Sequence, residues 1–410
     1  MDIGLYLRRY AYPKSFLPAV LSAPPHMAVV IPSYNEASLP DTLQSLRNCH
    51  LPKAPTEVIV VINHGENAPQ QIKDFHEKQY ALIKRWSIEN SNETLSFQVI
   101  YAPDLPAKTA GVGLARKIGM DEAVRRLNSD NSIIVCLDGD CLCPPNYLQA
   151  IEAHFDLNPS TPGCAIYYEH PLAGSLDDEI YSGITHYELF LRYYVHAQRY
   201  AGFPYAFQTV GSSMATRCNA YIKQGGMNKR KAGEDFYFLT RIIALGGFTE
   251  LSETTVIPSP RLSDRVPFGT GKAMSHWLEN QVLLTYPVLI FKELRHFLLH
   301  RQQYRKDPTA WQKYTHGTTL GAYLHSIGAD KELSAICGRS PSAETFDKHF
   351  FHWFNGFRVM KYANYAREQL GGVPVSQAAA ELWSLLRPTE PSAMEVTPLL
   401  MAYRNLDRSN

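Results

Sequence analysis

Two acidic stretches hold the residue types that could do chemistry. The first is Asp138-Gly139-Asp140, which ends the apolar run Ile133-Ile-Val-Cys-Leu137. Five apolar or β-prone residues in a row predict a strand buried on both faces, as in a parallel sheet. The two carboxylates then stand where the strand leaves the sheet, the end at which open α/β sheets bind ligands. Gly139 lets the backbone turn and keeps the approach uncrowded. Two carboxylates this close repel unless something cationic lies between them. Magnesium or manganese does so with one or two carboxylates plus substrate phosphate oxygens. A plain Asp-Gly turn has the same residues, so the rest of the chain must decide. The second acidic stretch is Gly233-Glu234-Asp235, before a helical pattern (Leu239, Ile242, Ile243) that Gly246-Gly247 stops.

The elements that position these residues alternate. Met27-Ala-Val-Val-Ile31 is a first strand, ending in Pro32-Ser-Tyr-Asn-Glu36. Leu39, Leu43 and Leu46 follow at helical spacing, with Pro40 near the helix start, where its missing N–H costs nothing. Glu57–Ile62 is a second strand, ending in Asn63-His64-Gly65, and a charged helix over about 70–88 leads to a third at Phe97–Tyr101. A helix with Leu114, Ile118, Val124 and Leu127 on one face precedes the Asp138–Asp140 strand. Cys164–Tyr168 and Thr255–Ile257 are further strands, and residues 178–200 form a helix rich in Tyr and Phe, a stripe expected in a core. This alternation predicts an α/β fold with a doubly wound, mostly parallel sheet. After Pro258 the alternation stops. The expected organisation is an extension over 1–26, a catalytic domain over 27–257, a loop over 258–272 and a helical C-terminal region over 273–410.

Composition narrows the function classes. With 410 residues the chain has room for two or three domains, and a formal net charge of +1 gives no sign of a nucleic-acid partner. Seven scattered cysteines do not form a disulfide framework, so a cytoplasmic setting is expected. Cys141-Leu-Cys143 lacks a second pair at finger-like spacing, so structural zinc is not expected. The N-terminus has no long apolar signal segment. Pro287, Lys292, Glu293 and Arg295 interrupt the longest apolar stretch, Val282–Leu299. It is expected to be an amphipathic core helix, with a place on a membrane surface as the second reading.

Four motifs in order resemble the family 2 glycosyltransferases of GT-A fold: Val30-Ile-Pro-Ser-Tyr-Asn-Glu36, Leu114-Ala-Arg-Lys-Ile-Gly119, Asp138-Gly-Asp140 and Gly233-Glu-Asp235. The resemblance covers about residues 27–257. It implies a metal-dependent transfer of a sugar from a nucleotide-sugar donor to an acceptor hydroxyl, with inversion. Asp140 would be the direct ligand of Mn2+ or Mg2+, and Asp138 would contact ribose or reach the metal through water. Pro32, Tyr34 and Glu36 would hold the nucleoside, with Tyr34 offering a stacking face, and Arg116 would lie near the nucleotide. Asp235 would be the base that takes the acceptor proton, with Glu234 the alternative; a carboxylate in the first helical turn is also held ionised by the helix dipole. The acceptor class is a carbohydrate or a lipid-linked glycan, which adds peripheral association with the inner membrane face as an expectation.

The departures from the family pattern matter as much. Its second strand usually ends in an Asp-Asp-Gly-Ser-like turn, where this chain has Asn63-His64-Gly65-Glu66. A neutral Asn63 at the base edge favours UDP-sugars only modestly. There is no Gln-x-x-Arg-Trp motif, so a processive synthase is not expected. A third metal ligand is not evident; His276 or a residue of Arg261–Arg265 are the candidates, and Arg265–Gly271 has the composition of a lid. Two rivals remain: a sugar-nucleotide nucleotidyltransferase, which would want a Gly-rich basic loop after the first strand, and a scaffold that kept the fold without turnover.

Overall fold

The computed structural model describes residues 2–18, 24–127, 129–262, 269–389 and 395–409. The chain divides into two compact units. The first comprises Met1–Pro171 and Thr209–Gly271, the second Leu172–Gln208 and Lys272–Asn410.

The first unit is built on eight strands: β1 (Met27–Ser33), β2 (Thr56–Gly65), β3 (Leu95–Leu105), β4 (Ile133–Cys136), β5 (Cys141–Leu142), β6 (Gly163–Tyr168), β7 (Met214–Arg217) and β8 (Thr249–Pro258). Their order in the sheet is β3-β2-β1-β4-β7-β6-β8-β5. The half formed by β3, β2, β1 and β4 is parallel throughout. In the other half β7 runs antiparallel to β4 and β6, so the sheet is mixed. The α/β fold with flanking helices is the one expected of a GT-A-like chain. The apolar runs of β1, β2 and β4 are buried along nearly their whole length, which is why they lack alternation. The chain leaves β1 on one side for β2 and returns to its other side as β4. A crevice at such a switch point is where α/β sheets take ligands.

Among the helices of this unit are α1 (Ile3–Arg9), α2 (Leu39–Arg47), α3 (Gln70–Asn90), α4 (Val112–Arg126), α5 (Tyr147–Leu157), α7 (Cys218–Lys223) and α8 (Glu234–Ile243). The helix numbered α6 (Asp178–Tyr200) belongs to the second unit. Helix α4 lies against β1 and β2. Gly119 permits the close seating: a methyl there would overlap Val30 and stand 3.0 Å from Val61. Unlike an ordinary surface helix, α4 is buried on almost every side, Lys117, Asp121, Glu122 and Arg126 included. The N-terminal segment explains how those charges are tolerated. Asp121 accepts hydrogen bonds from Tyr6 Oη (2.5 Å), Tyr221 Oη (2.7 Å) and the Tyr12 N–H (2.7 Å), and pairs with Lys117 at 2.9 Å. Glu122 accepts from Ser15 Oγ at 3.0 Å, and Arg126 pairs with Glu57. Each buried charge is thus hydrogen-bonded, the condition for burying it at all. Residues 2–18, which the sequence sets apart as an extension, form part of the first unit.

The second unit is helical. The aromatic stripe of α6 is core there, as expected: Leu189, Tyr193, Ala197 and Ala201 pack in one cluster with Phe291, Phe297, Phe350 and Tyr403. Sequence order had grouped α6 with the strands. Its packing and its charges place it with the C-terminal helices, since Glu188 pairs with Arg192 and Arg404, and His196 with Asp407. The helix Val288–Leu299 begins after Pro287 and buries Val288, Ile290, Phe291, Leu294, Phe297 and Leu298. Among the described residues no helix is long and apolar enough to cross a membrane.

The seating of α4 is directly testable. Gly119→Ala forces a methyl against Val30 and should destabilise the protein by about 1–3 kcal/mol, the usual cost of overpacking. Denaturant unfolding measures it; an unchanged midpoint would mean that α4 does not sit this close to the sheet.

Candidate functional site

The ends of β1 and β4 bring the first group together. After β1 the backbone turns through Tyr34 and Asn35, the latter in the left-handed region at φ 49°. Helix α3 pins this turn: His76 Nε2 accepts from the Asn35 N–H at 2.8 Å, and Gln79 Nε2 donates to the Glu36 carbonyl at 2.5 Å. Glu36 is buried, while Pro32 and Tyr34 are half-buried. After β4, the Thr42 hydroxyl of α2 donates to the Gly139 carbonyl at 2.9 Å and holds the Asp138–Asp140 turn. Gly139 lies so near Glu36 that an added methyl would stand 3.1 Å from its Cγ. The absence of a side chain there lets the two turns approach.

Arg261, on the segment after β8, links these turns. Its Nη2 pairs with Glu36 and lies 2.9 Å from Asp140 Oδ2. Two carboxylates therefore converge on one cationic nitrogen, which shows that a positive centre fits between them. Among the described residues no three or more His, Cys, Asp or Glu side chains gather as a metal site. The protein offers carboxylates at the place where a hard divalent ion would also need phosphate oxygens, the usual division of ligands for magnesium. His276 is exposed and belongs to the second unit. Of the lid segment Arg265–Gly271, residues 265–268 lie outside the described residues.

The second group surrounds Arg116, which α4 carries into the interior. Its guanidinium pairs with Asp138 Oδ1 through Nη2 (2.5 Å) and with Glu234 through Nη1. Gly211, just before β7, gives it room: a methyl there would lie 2.6–2.8 Å from the guanidinium. Glu234 opens α8, and its approach to α4 is equally close, since a methyl on Gly113 would reach 3.0 Å from Glu234 Cβ. Gly233, left-handed at φ 67°, is the residue that caps α8. Asp235 is the second residue of the helix. Its Oδ1 accepts the Phe236 N–H at 2.7 Å, and the Gly211 backbone also donates to it.

One guanidinium cannot neutralise three carboxylates. Burial pushes the Glu234 carboxyl up to about 7 against the pull of Arg116, with Asp235 and Asp138 adding to the rise. Burial likewise raises Asp235, and Arg116 and the backbone donors oppose it. Burial alone would lower Arg116; Asp138 and Glu234 outweigh it and keep the guanidinium charged. Separating such a buried pair leaves a charge without compensation and costs about 3–5 kcal/mol, so Arg116 fixes the spacing of the β4 end and the α8 start.

At the end of β2, Asn63 and His64 are both buried. His64 Nδ1 lies 3.0 Å from His76 Nδ1. Because His76 Nε2 accepts from Asn35, its proton sits on Nδ1 and is donated to His64, whose own proton is then on Nε2. Burial, helped by His64, pushes His76 down to about 4, and burial lowers His64 too. The Asn63–Gly65 turn is therefore tied to the Tyr34–Glu36 turn by a neutral histidine pair.

The structure thus gathers Glu36, Asp138, Asp140, Arg116, Glu234 and Asp235 in two linked ion clusters, with Tyr34 and His64 both beside His76. Sequence reasoning passed over His76 and the pairing of Arg116 with Glu234, and it named Arg261 only within a longer segment. The signal for His76 was slight: one histidine in a helix rich in exposed charge.

No family model matches the chain, and no curated protein does. Solved structures that the chain matches include Staphylococcus aureus TarS 1-349 in complex with UDP-GlcNAc, at 13% identity over 79% of this chain and 89% of that one, TM-score 0.40. Another is the mannosyltransferase PcManGT from Pyrobaculum calidifontis in complex with GDP-Man and Mn2+, at 13% identity over 95% and 93%, TM-score 0.37.

The raised Glu234 carboxyl gives a pH signature. The folded state holds this proton where the unfolded chain, at the ordinary value of 4.5, has lost it. Its contribution therefore favours folding at low pH and is lost as pH rises from about 4.5 through about 7. Glu234→Gln should flatten the decline in Tm between about pH 5 and about pH 7.5. Parallel profiles for the two proteins would show that Glu234 is ionised throughout.

Proposed function

We propose that the protein is a glycosyltransferase that moves a sugar from a nucleotide-sugar donor to an acceptor hydroxyl, with inversion at the anomeric carbon. The observation that carries this reading is the meeting of Glu36, Asp138 and Asp140 at the β1–β4 switch point, with Glu234 joined to Asp138 through Arg116 and Asp235 next to Glu234 in the first turn of α8. It supports a diphosphate site and a candidate base held in one framework.

In this reading Tyr34 and Pro32 bracket the nucleoside, and Asn63 meets the base edge with a neutral amide, so UDP-sugars are favoured modestly. His64, with its proton on Nε2, is a second neutral donor at the same strand end. Asp138, oriented by Arg116, faces the ribose. Asp140 with Glu36 would hold Mn2+ or Mg2+, which when bound supplies the positive charge that stabilises the departing diphosphate. Asp235 takes the acceptor proton as the acceptor oxygen bonds to the anomeric carbon and the nucleoside diphosphate leaves. Burial makes its carboxylate a stronger base than an exposed aspartate. Arg116 pairs with Glu234 rather than Asp235, which favours Asp235 as the base. The acceptor is a carbohydrate or a lipid-linked glycan, the latter reached by docking at a membrane face from the cytoplasm.

Two substitutions test the reading. Asp140→Ala should abolish metal-dependent binding of nucleoside diphosphate while leaving the fold intact, as followed by titration calorimetry with Mn2+. Metal-dependent affinity that survives would remove the metal role. Asp235→Asn should keep donor affinity near wild type and lower kcat by about 100- to 10,000-fold, the scale of a lost general base. A retained kcat would move the role to Glu234.

A further inference from the structure

The Arg261 bridge has a consequence for when a cation can bind. Asp140 lies 2.9 Å from Arg261 Nη2, and the same nitrogen pairs with Glu36. A divalent ion seeking Asp140 must displace this guanidinium. Displacement by metal alone would leave Arg261 without its two carboxylates while the ion exchanged water for them. A diphosphate changes the balance. Its oxygens complete the metal's shell, and they also offer a guanidinium the planar, paired acceptors it binds well. Arg261 is suited to such an exchange, being half-buried on a connecting segment rather than locked in a strand or helix. Arg116 is the contrast: it is fully buried on α4 between Asp138 and Glu234.

We propose that Arg261 and the divalent cation alternate on Asp140: the guanidinium holds Asp140 and Glu36 together in the empty enzyme, and turns to the diphosphate when metal and donor enter. The proposal rests on the glycosyltransferase reading for the identity of the diphosphate. It makes metal binding conditional on nucleotide. By linkage, each then raises the affinity of the other by the same factor, and the acidic site is not filled by metal that comes without a donor.

The test is metal affinity without turnover. Free Mn2+ is followed by electron paramagnetic resonance while Mn2+ is titrated into wild type, Arg261→Gln and Arg261→Lys. Each is measured with and without UDP or GDP, and the Mn2+–nucleotide complex is measured separately. Wild type should bind Mn2+ weakly alone and more tightly with nucleotide. Arg261→Gln should bind Mn2+ alone at least about tenfold more tightly, the scale of one charge-assisted contact no longer in competition, and should lose most of the nucleotide coupling. Arg261→Lys keeps the charge and should stay close to wild type for Mn2+ alone. Arg261→Gln binding Mn2+ no more tightly than wild type overturns the proposal, as does full coupling retained without the guanidinium. If wild type binds neither nucleotide under any condition, the glycosyltransferase reading fails, and the Mn2+-alone arm still decides whether Arg261 competes for Asp140.

Discussion

A buried guanidinium sets the geometry on which the rest of the first unit depends. Arg116 reaches from α4 to Asp138 at the end of β4 and to Glu234 at the start of α8. A buried ion pair adds little net stability compared with apolar packing of the same volume, yet breaking one is costly. Its effect is therefore mainly positional. The glycines around it act in the same sense: Gly113, Gly119 and Gly211 each mark a place where a methyl would push α4, the sheet or the β7 approach apart. The β4 turn and the α8 turn are fixed relative to each other to within the tolerance of a hydrogen bond.

The parallel half of the sheet could be read from the sequence because β1, β2 and β4 are built on apolar runs ended by polar turn residues, and β3 on the β-prone run Phe97–Tyr101. The helix periods between them were equally plain. The antiparallel β7 was not, since Met214–Arg217 is four residues long and has a polar stretch on one side and a helix on the other. Its place is set by pairing with β4 and β6, which are distant in the chain. The two units interleave in sequence for the same reason. Helix α6 has the composition of a core element, but composition does not say which core, and the ion pairs from Glu188 to Arg404 span 216 residues.

Among the site residues, those with a local signature were legible: two aspartates at the end of an apolar strand, and an acidic pair opening a helix. The residues that give them their electrostatic character were harder to find. Arg261 meets Glu36 across 225 residues and stands in a stretch with several charges of similar appearance. His76 matters because two turns distant in the chain meet it, the left-handed turn at Asn35 and the end of β2 at His64. For α4 the sequence did hold a warning, since charged and apolar residues are both spread around the whole helix instead of being sorted onto two faces. Such a helix needs partners on all sides, and residues 2–18 supply one of them.

That arrangement also governs how the chain can be completed during synthesis. Tyr6 is made well before its acceptor Asp121, which follows 115 residues later. Tyr221, the other hydroxyl on Asp121, comes a further 100 residues on, after the α6 excursion into the second unit. A chain growing from the ribosome thus has β1–β4 and β6 in hand with the edges of β4 and β6 still unpaired, because β7 has not emerged. Contacts of such long sequence separation form slowly, and open strand edges invite association in the interval. The first unit should therefore close late, once β7 is made, and its yield in a cell should depend on chaperones that shield a sheet lacking its central antiparallel strand.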